Sequence, residues 1–338
     1  MTIGMVGFMR SAKRTALALA ASLLAIGAAA GNEQTTLTVP AENLGFLLRY
    51  VAEDEGLWSK QGLDVSIKHI QGIGATNAVI AGSADFGFAS GPTVTRANAR
   101  GQKLVALATT INQSDEWVVV RKDIAVAAQF DAKAPLATRA AILKGLTIAT
   151  GGAGAIPDVV LKVVAKQAGL GPDAVRTAPM QPPEFMAAFA RKSIDGFVSG
   201  PPFTQIALTD GSGVVVADPS EPPDYTPVSS ALLLARASFC PEHRAICEKL
   251  VHGVAEAARF VHGRRAETLA VMKRHFGSYG DKVLEASYEG LVKMVPVPPV
   301  TTAAELENAD QLNIAAGFMS AADKLPDYNG IIDNQFAR

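Results

Sequence analysis

The chain has 338 residues, of which 49% are hydrophobic and 19% charged. This composition is too apolar for intrinsic disorder, and the length allows two domains of medium size. The formal net charge of −1 gives no electrostatic basis for binding nucleic acid.

The first 30 residues have the pattern of a secretory signal peptide. Arg10, Lys13 and Arg14 precede an uncharged, Ala/Leu-rich run at 15–30 that ends in three alanines. The run is shorter than the roughly 20 apolar residues of a membrane span, which makes an uncleaved anchor the weaker alternative. We therefore expect a signal peptide of residues 1–30, cleaved near its last alanine, and a soluble mature protein in the periplasm.

After residue 30, short apolar runs with strand character alternate with helical patterns, and a helical region follows. Strands are predicted at 37–39, 64–70, 104–109, 117–120, 145–150, 174–179, 214–217 and 230–234. Helices are predicted at 46–53, 72–81, 92–99, 157–168, 184–192, 242–261, 266–274, 282–293 and 303–320, with a less regular stretch at 123–143. This alternation predicts an α/β protein in which each sheet is mostly parallel and flanked by helices.

One motif occurs twice and indicates two related lobes. Residues 83–92 read Ser-Ala-Asp-Phe-Gly-Phe-Ala-Ser-Gly-Pro, and residues 193–201 read Ser-Ile-Asp-Gly-Phe-Val-Ser-Gly-Pro. Each copy predicts a turn, a short buried strand and a Ser-Gly-Pro loop that opens a helix, where proline is tolerated in the first turn. Ligands bind at the carboxyl ends of strands in open α/β sheets, so we expect the two loops to face each other across one cleft. The alternative is a chance match of two ordinary strand-to-helix connections.

The order of the elements predicts that the chain passes twice between the lobes. The first crossing is expected near 121–123 and the second in the Pro-rich stretch 218–227. This assigns residues 31–120 to the first part of lobe 1 and residues 121–227 to lobe 2. Residues 228–338 then supply the return strand of lobe 1 and the C-terminal helices. Two crossings form a hinge, which suits closure around a ligand.

The chain contains two cysteines, Cys240 and Cys247, with His243 between them. An exported protein meets an oxidising compartment, but seven residues of helix separate Cα atoms by about 10 Å. Because a disulfide requires less than about 7 Å, a bridge forms only if Cys240 precedes the helix and bends back. A Cys/His metal site lacks a fourth ligand nearby. The favoured interpretation is a helix that begins with Pro241 and packs Cys247 inward.

Several short segments are weak evidence for a family when taken alone, but their order and spacing together are specific. They lie at 52–58 with 62–65, 82–87, 119–123, 143–149 and 169–170. In this pattern the chain resembles the periplasmic solute-binding proteins of ABC importers, in the subgroup that binds alkanesulfonates, taurine, nitrate and thiamine-pyrimidine precursors. The resemblance implies a two-lobed type II periplasmic-binding fold without catalysis, cofactor or metal. It also implies a monomer that delivers a small-molecule ligand to an ABC permease and its cytoplasmic ATPase.

The resemblance also implies the position of the ligand site. In this family, lobe 1 contributes the loop after the first strand and the first Ser-Gly-Pro loop, and lobe 2 contributes a Gly-rich turn and the second repeat. The candidate ligand-binding residues are Asn43, Leu44, Gly45, Phe46, Ser90, Gly91, Thr150, Gly151, Gly152, Ala153, Gly154, Ser199, Gly200, Pro201 and Ser229. Helix N-termini with free N–H groups and a partial positive charge suit an anionic ligand.

Three features depart from the family pattern. The Gly-Gly-Ala-Gly turn at 151–154 offers backbone donors but no hydroxyl, and it lacks the Lys-Ser/Thr pair of a nucleotide-binding P-loop. Phe46 could stack on a planar ligand. Pro-Pro-Phe at 201–203 stands where sulfonate binders are expected to carry a Trp-Asp-Pro type sequence. These departures argue against a simple sulfonate and leave room for an aromatic or heterocyclic acid.

Two other functions remain open on the same scaffold. An enzyme resembling the pyrimidine synthases would need a cofactor lysine, a histidine and a cysteine-rich, iron-linked segment, whereas this chain has two cysteines. No catalytic trio or metal cluster emerges from its five histidines. A periplasmic sensor subunit that signals to a receptor is the other alternative, and the sequence leaves the ligand unidentified.

Overall fold

Two five-stranded sheets organise the chain. A computed structural model describes residues 32–219, 221 and 226–338, so the predicted signal peptide at 1–30 lies outside the described residues. The strands are β1 Glu33–Val39, β2 Leu63–His69, β3 Phe86–Ala89, β4 Leu104–Ile111, β5 Trp117–Arg121, β6 Thr147–Thr150, β7 Arg176–Pro179, β8 Gly196–Ser199, β9 Gly213–Ala217 and β10 Ala231–Arg236.

Helices cover both faces of the sheets. They are α1 Leu47–Asp54, α2 Gly74–Ile80, α3 Gly91–Ala99, α4 Lys122–Ala127, α5 Leu136–Ala140, α6 Ile156–Gln167, α7 Pro182–Ala190, α8 Phe203–Thr209, α9 Phe239–Glu242, α10 Arg244–Gly263, α11 Arg265–Phe276, α12 Asp281–Leu291 and α13 Ala303–Ala315. Within the described ranges, no helix combines the length and the apolar character that a bilayer crossing requires.

The two sheets share one arrangement of strands. The order is β2-β1-β3-β10-β4 in the first sheet and β7-β6-β8-β5-β9 in the second. β1 is parallel to β2 and β3, and β6 is parallel to β7 and β8. In each sheet the fourth strand, β10 or β5, is antiparallel to both of its neighbours. The other four strands run in one direction, which confirms the mostly parallel sheets that the sequence predicts.

The fourth strands determine where the chain passes between the sheets. β4 ends at Ile111 in the first sheet and β5 begins at Trp117 in the second, so the first crossing is at 112–116. This is ahead of the crossing predicted near 121–123. The charged residues there close the end of β5, since the Arg121 guanidinium contacts Asp123 at 3.0 Å and Asp195 at 3.1 Å. The return crossing lies between β9 and β10.

Uninterrupted apolar runs explain why β5 and β10 are internal strands, because successive side chains point to opposite faces of the sheet and both faces are covered. Val118 and Val120 pack into the core beneath α5 and α6, whereas Val119 packs into the opposite core with α7 and α8, and all three are fully buried. β10 divides its leucines in the same way, with Leu232 in one core and Leu233 in the other. Burying each such side chain stabilises the fold by about 1.5–3 kcal/mol.

The repeated motif occupies equivalent positions, because β3 and β8 are each the third strand of their sheet. The aspartates of the two copies also have equivalent roles. Asp85 Oδ2 accepts a hydrogen bond from Thr36 N at 2.9 Å, and Asp195 Oδ2 accepts one from Thr147 N at 2.8 Å. Each carboxylate therefore fixes the neighbouring parallel strand, which gives this part of the motif a structural role.

Two predicted helix boundaries are wrong. Pro92 stands in the first turn of α3 as predicted, but in the second copy α8 begins only at Phe203, after both prolines. The helix predicted at 303–320 ends at Ala315. There Gly317 has a φ of +80°, a left-handed conformation that glycine adopts readily and that ends the helix.

The two cysteines form a disulfide, with Cα atoms 5.6 Å apart. Cys240 lies in the short helix α9, and Cys247 lies in α10. His243, with a φ of −130° and a ψ of 47°, breaks the helical path between them. The sequence favoured a helix that begins with Pro241 and left the bridge open as an alternative; the bridge is present, and the Cys247 side chain is fully buried as expected. Cys240 does precede the long helix, which is the condition under which a bridge can form.

Helix α13 packs against both lobes. Ala309 lies so close to the start of α3 that a Cβ added to Gly91 would be 3.0 Å from the Ala309 Cβ. On the other side, Leu312 packs in one cluster with Val159 and Val163 of α6. The C-terminal part of the chain thus connects the two lobes in addition to the crossings.

Candidate functional site

A cavity of about 70 Å³ lies between the lobes, where β1, β3 and β6 end. Lobe 1 contributes the loop after β1 and the first turns of α2 and α3. Lobe 2 contributes the start of α6, and the two crossings contribute one residue each. The lining residues are Pro40, Ala41, Asn43, Phe46, Gly72, Ile73, Thr76, Ala89, Ser90, Thr93, Glu116, Gly151, Ala155, Ile156, Pro157 and Ser230.

Four of the predicted site residues line this cavity: Asn43, Phe46, Ser90 and Gly151. Asn43 caps the short 3-10 helix Leu44–Phe46, because its Oδ1 accepts a hydrogen bond from Gly45 N at 3.0 Å. The Phe46 ring packs against a neighbouring ring of β3 and is 8% exposed. Ser90 precedes α3, and its Oγ lies 3.1 Å from the Oγ1 of Thr93, where either hydroxyl could donate the hydrogen bond.

The other predicted residues are not in the cavity lining. They are Leu44, Gly45, Gly91, Thr150, Gly152, Ala153, Gly154, Ser199, Gly200, Pro201 and Ser229. Several of them hold the lobes together. Leu44 N donates to Pro201 O at 2.9 Å across the cleft. Gly72 approaches the Gly-rich turn so closely that an added Cβ would lie 2.7 Å from Gly151 O. The lobes are therefore in direct contact.

Ser229 faces away from the cavity. Its Oγ donates to Glu305 Oε2 at 2.9 Å, and it also lies 2.9 Å from the Oγ1 of Thr109. Burial raises the pKa of Glu305, and its bonds to Ser229 and Thr109 partly offset that effect. The serine hydroxyl is thus part of a buried network that connects the second crossing to α13.

Asp115 lies at the junction of the two lobes and was missed by the sequence analysis. Its Oδ1 accepts a hydrogen bond from Ser230 Oγ at 2.5 Å. A Cβ added to Gly45 would lie 2.8 Å from Asp115 Oδ2, and a Cβ added to Gly200 would lie 2.9 Å from the same atom. These two predicted glycines therefore make room for the carboxyl group, one from each lobe. Burial raises the pKa of Asp115, an effect that the Ser230 bond partly offsets.

Glu116, the next residue, was also missed and lines the cavity directly. It is 5% exposed, and its Oε2 is buried without a hydrogen-bond partner in the described part of the chain. Burial raises the pKa of Glu116 well above its ordinary value, and the charge of Asp115 adds to the effect. The sequence signal that could have identified both residues was an adjacent acidic pair between the strands predicted at 104–109 and 117–120.

Arg96 connects the lobes from the inside. It lies in α3, is 6% exposed, and donates from Nη2 to Gly154 O of the Gly-rich turn at 2.7 Å. Its Nη1 donates to Asn313 Oδ1 of α13 at 2.6 Å, and the guanidinium lies over the Phe318 ring. Burial lowers the pKa of Arg96 to about 10, with a contribution from nearby Arg100. The group remains charged at neutral pH.

The electrostatics of the cavity are mixed. The helices α3 and α6 both begin there and present the partial positive charge of their N-termini. Nevertheless, no lysine, arginine or histidine of the described residues lines the cavity. Thr150 Oγ1, at the end of β6, is buried without a partner in the same described ranges. No group of three or more metal-ligating side chains occurs within those ranges either.

Comparisons with known proteins place these features in context. Residues 43–267 match the family described as NMT1/THI5 like. A binding protein of Brucella abortus (strain 2308) is 30% identical over 181 residues, which cover 53% of this chain and 52% of that protein. The chain therefore spans about half the length of the curated relatives it matches.

Solved structures with similar folds have low sequence identity. A Bordetella bronchiseptica RB50 protein has a TM-score of 0.76 at 19% identity, covering 91% of this chain and 96% of that one. The alkanesulfonate-binding protein SsuA from Xanthomonas axonopodis pv. citri has a TM-score of 0.70 at 17% identity, covering 90% and 100%. The desulfurization enzyme DszB has a TM-score of 0.61 at 12% identity, covering 90% and 98%.

The chain has the type II periplasmic-binding-protein fold, as the resemblance implied. Its two mixed sheets enclose a cavity between them, and in each sheet the fourth strand directly follows a crossing. The family match extends over more than half of the chain, and the chain belongs to the NMT1/THI5-like family. The fold alone leaves the function open, because it occurs both in a sulfonate-binding protein and in an enzyme.

Proposed function

We propose that the mature protein is the extracytoplasmic substrate-binding component of an ABC import system. It captures a small solute between its lobes in the periplasm and delivers it to a membrane permease driven by a cytoplasmic ATPase. The observation that carries the proposal is the cavity where β1, β3 and β6 end, since both lobes and both crossings line it. A ligand bound there contacts every part that must move when the lobes separate.

The lining chemistry supports binding without catalysis. Hydroxyl groups of Ser90, Thr93 and Ser230 reach the cavity, but no histidine, cysteine or lysine of the described residues lines it. A serine nucleophile is usually activated by a histidine or a lysine, and neither residue type lines the cavity within the described chain. We therefore propose a monomeric, cofactor-free binding protein whose ligand sites are Asn43 and Ser90 in lobe 1 and the Gly151 turn in lobe 2.

A thermal-shift screen tests this function. Purified mature protein is heated with small acids, pyrimidines and aromatic solutes, because a ligand that binds the native state raises its stability by mass action. We expect at least one solute class to raise the melting temperature in a concentration-dependent way. If no solute in a broad screen does so while circular dichroism shows native protein, the proposed function is wrong.

Calorimetric titration of two serine variants then locates the site. The Ser90→Ala variant removes a hydroxyl from the cavity lining, whereas Ser199→Ala removes one from the equivalent repeat position outside it. A hydrogen bond contributes about 0.5–1.5 kcal/mol, or 1.5–3 kcal/mol to a charged group. We expect Ser90→Ala to weaken binding about tenfold, at roughly 1.4 kcal/mol per decade, and Ser199→Ala to have little effect. Equal affinities in both variants would place the ligand elsewhere.

A further inference from the structure

Glu116 lines the cavity, and one of its two carboxyl oxygens is buried without a partner in the described chain. Among the described residues it is the one ionisable side chain in the lining, and it is 5% exposed. Its Oε2 has no hydrogen-bond donor within the described chain. A buried carboxylate is costly unless a cation or donor compensates it, so a group of this kind is either neutral or awaits a partner.

The charged neighbours of Glu116 do not supply that partner. Asp115 is acidic and is bonded to Ser230. Glu221 and Glu116 both line a second small cavity, and Glu221 is paired with Arg139 through two contacts of 2.5 and 2.7 Å. Arg96 donates both of its terminal nitrogens to other groups and does not line the cavity. Arg139 and Arg96 are thus bonded elsewhere, and a carboxylate at Glu116 would need a positive charge supplied by the solute.

We infer that Glu116 is a specificity-determining residue that selects a solute carrying a protonated amino group. This inference rests on the proposed function of the same cavity. In the empty protein burial raises the pKa of Glu116, which favours the protonated carboxyl over a buried carboxylate. When the solute binds, the carboxyl O–H releases its proton to solvent, and the resulting carboxylate accepts hydrogen bonds from the ammonium group.

The test uses pairs of probes that differ only in the amino group. They are β-alanine and propionate, 2-aminoethanesulfonate and ethanesulfonate, and 4-(aminomethyl)benzoate and 4-methylbenzoate. Calorimetric titrations near pH 7, in two buffers of different ionisation enthalpy, give both the affinity and the number of protons released. For at least one pair, we expect the amino member to bind wild-type protein at least tenfold more tightly and to release up to one proton.

Two variants assign these effects to Glu116. Glu116→Gln keeps the shape of the protonated side chain but cannot ionise, so both the amino preference and the proton release should disappear. Glu305→Gln is the matched control, since Glu305 is also buried with a raised pKa but is fully bonded outside the cavity. This variant should keep the preference of the wild type.

The possible failures are distinguishable. If amino-free solutes bind wild-type protein as tightly as their partners, or if Glu116→Gln retains the preference, the role of Glu116 is overturned. Proton release of zero on binding of an amino solute also overturns it, and this measurement needs no variant. If no solute of the pairs or of the broad screen binds at all, the proposed function fails instead.

Discussion

The Arg96 contact predicts a measurable loss of stability when it is removed. Arg96→Met keeps most of the buried apolar volume but deletes the two hydrogen bonds to Gly154 O and Asn313 Oδ1. Hydrogen bonds from a charged donor contribute about 1.5–3 kcal/mol each, and relief of the buried charge returns part of this sum. We expect a net destabilisation of about 3 kcal/mol. At 2–4 °C per kcal/mol, the melting temperature should fall by roughly 6–12 °C.

Urea unfolding and thermal unfolding of purified protein measure this loss. Arg191→Met is the matched control, because Arg191 is exposed at the end of α7 and should change stability by less than about 0.5 kcal/mol. Small-angle scattering of Arg96→Met should also show a larger radius, since one contact between the lobes is lost. Equal unfolding midpoints in the two variants would refute the view that Arg96 stabilises the contact between the lobes.

Three further predictions follow from other parts of the molecule. Replacing Cys240 and Cys247 by alanine opens an eight-residue loop, and the chain-entropy relation then predicts a loss of about 2.5 kcal/mol in urea unfolding; unchanged stability would contradict it. Glu116→Gln should be more stable than wild type at pH 8 but similarly stable at pH 4. The pKa of Glu116 is raised by folding, so the stability of the wild type falls as the pH rises from about 4.3, the value in the unfolded chain, toward the raised value. Parallel stability profiles of the two proteins across this pH range would exclude the effect. Gly200→Ala should lower the melting temperature, since its Cβ would meet Asp115 O at 2.8 Å, whereas no such contact threatens Gly171→Ala.

Local pattern was sufficient to predict the sheets and some of the residues that line the cavity. Three consecutive valines form an uninterrupted apolar run in β5, which is typical of a strand buried on both faces, so the strand could be predicted from its sequence alone. The repeated motif likewise indicated two equivalent strands, and Ser90 and Gly151 do line one cavity. In these cases the signal is carried by neighbouring residues, whose spacing reflects the period of the strand or turn.

Contacts between distant segments could not be predicted. In the sequence, Asp115 and Glu116 resemble an ordinary polar connection between strands. Asp115 is buried in the fold because Gly45 and Gly200, from distant segments, lie against its carboxyl group. Arg96 has the position of a surface residue in a short helix until α13 and the Gly-rich turn cover it. The disulfide depended on the backbone at His243, which no periodic pattern reveals.

The positions of β5 and β10 in the two sheets affect the order in which the lobes are completed during synthesis. The second sheet draws all of its strands from one continuous stretch, β5 to β9, whereas the first sheet has β10 inserted between β3 and β4. A fragment that stops before Ala231 would leave β3 and β4 without the strand that joins them. The lobe whose residues are made first is therefore the last to be completed, and its hydrophobic edges stay open until the return strand arrives.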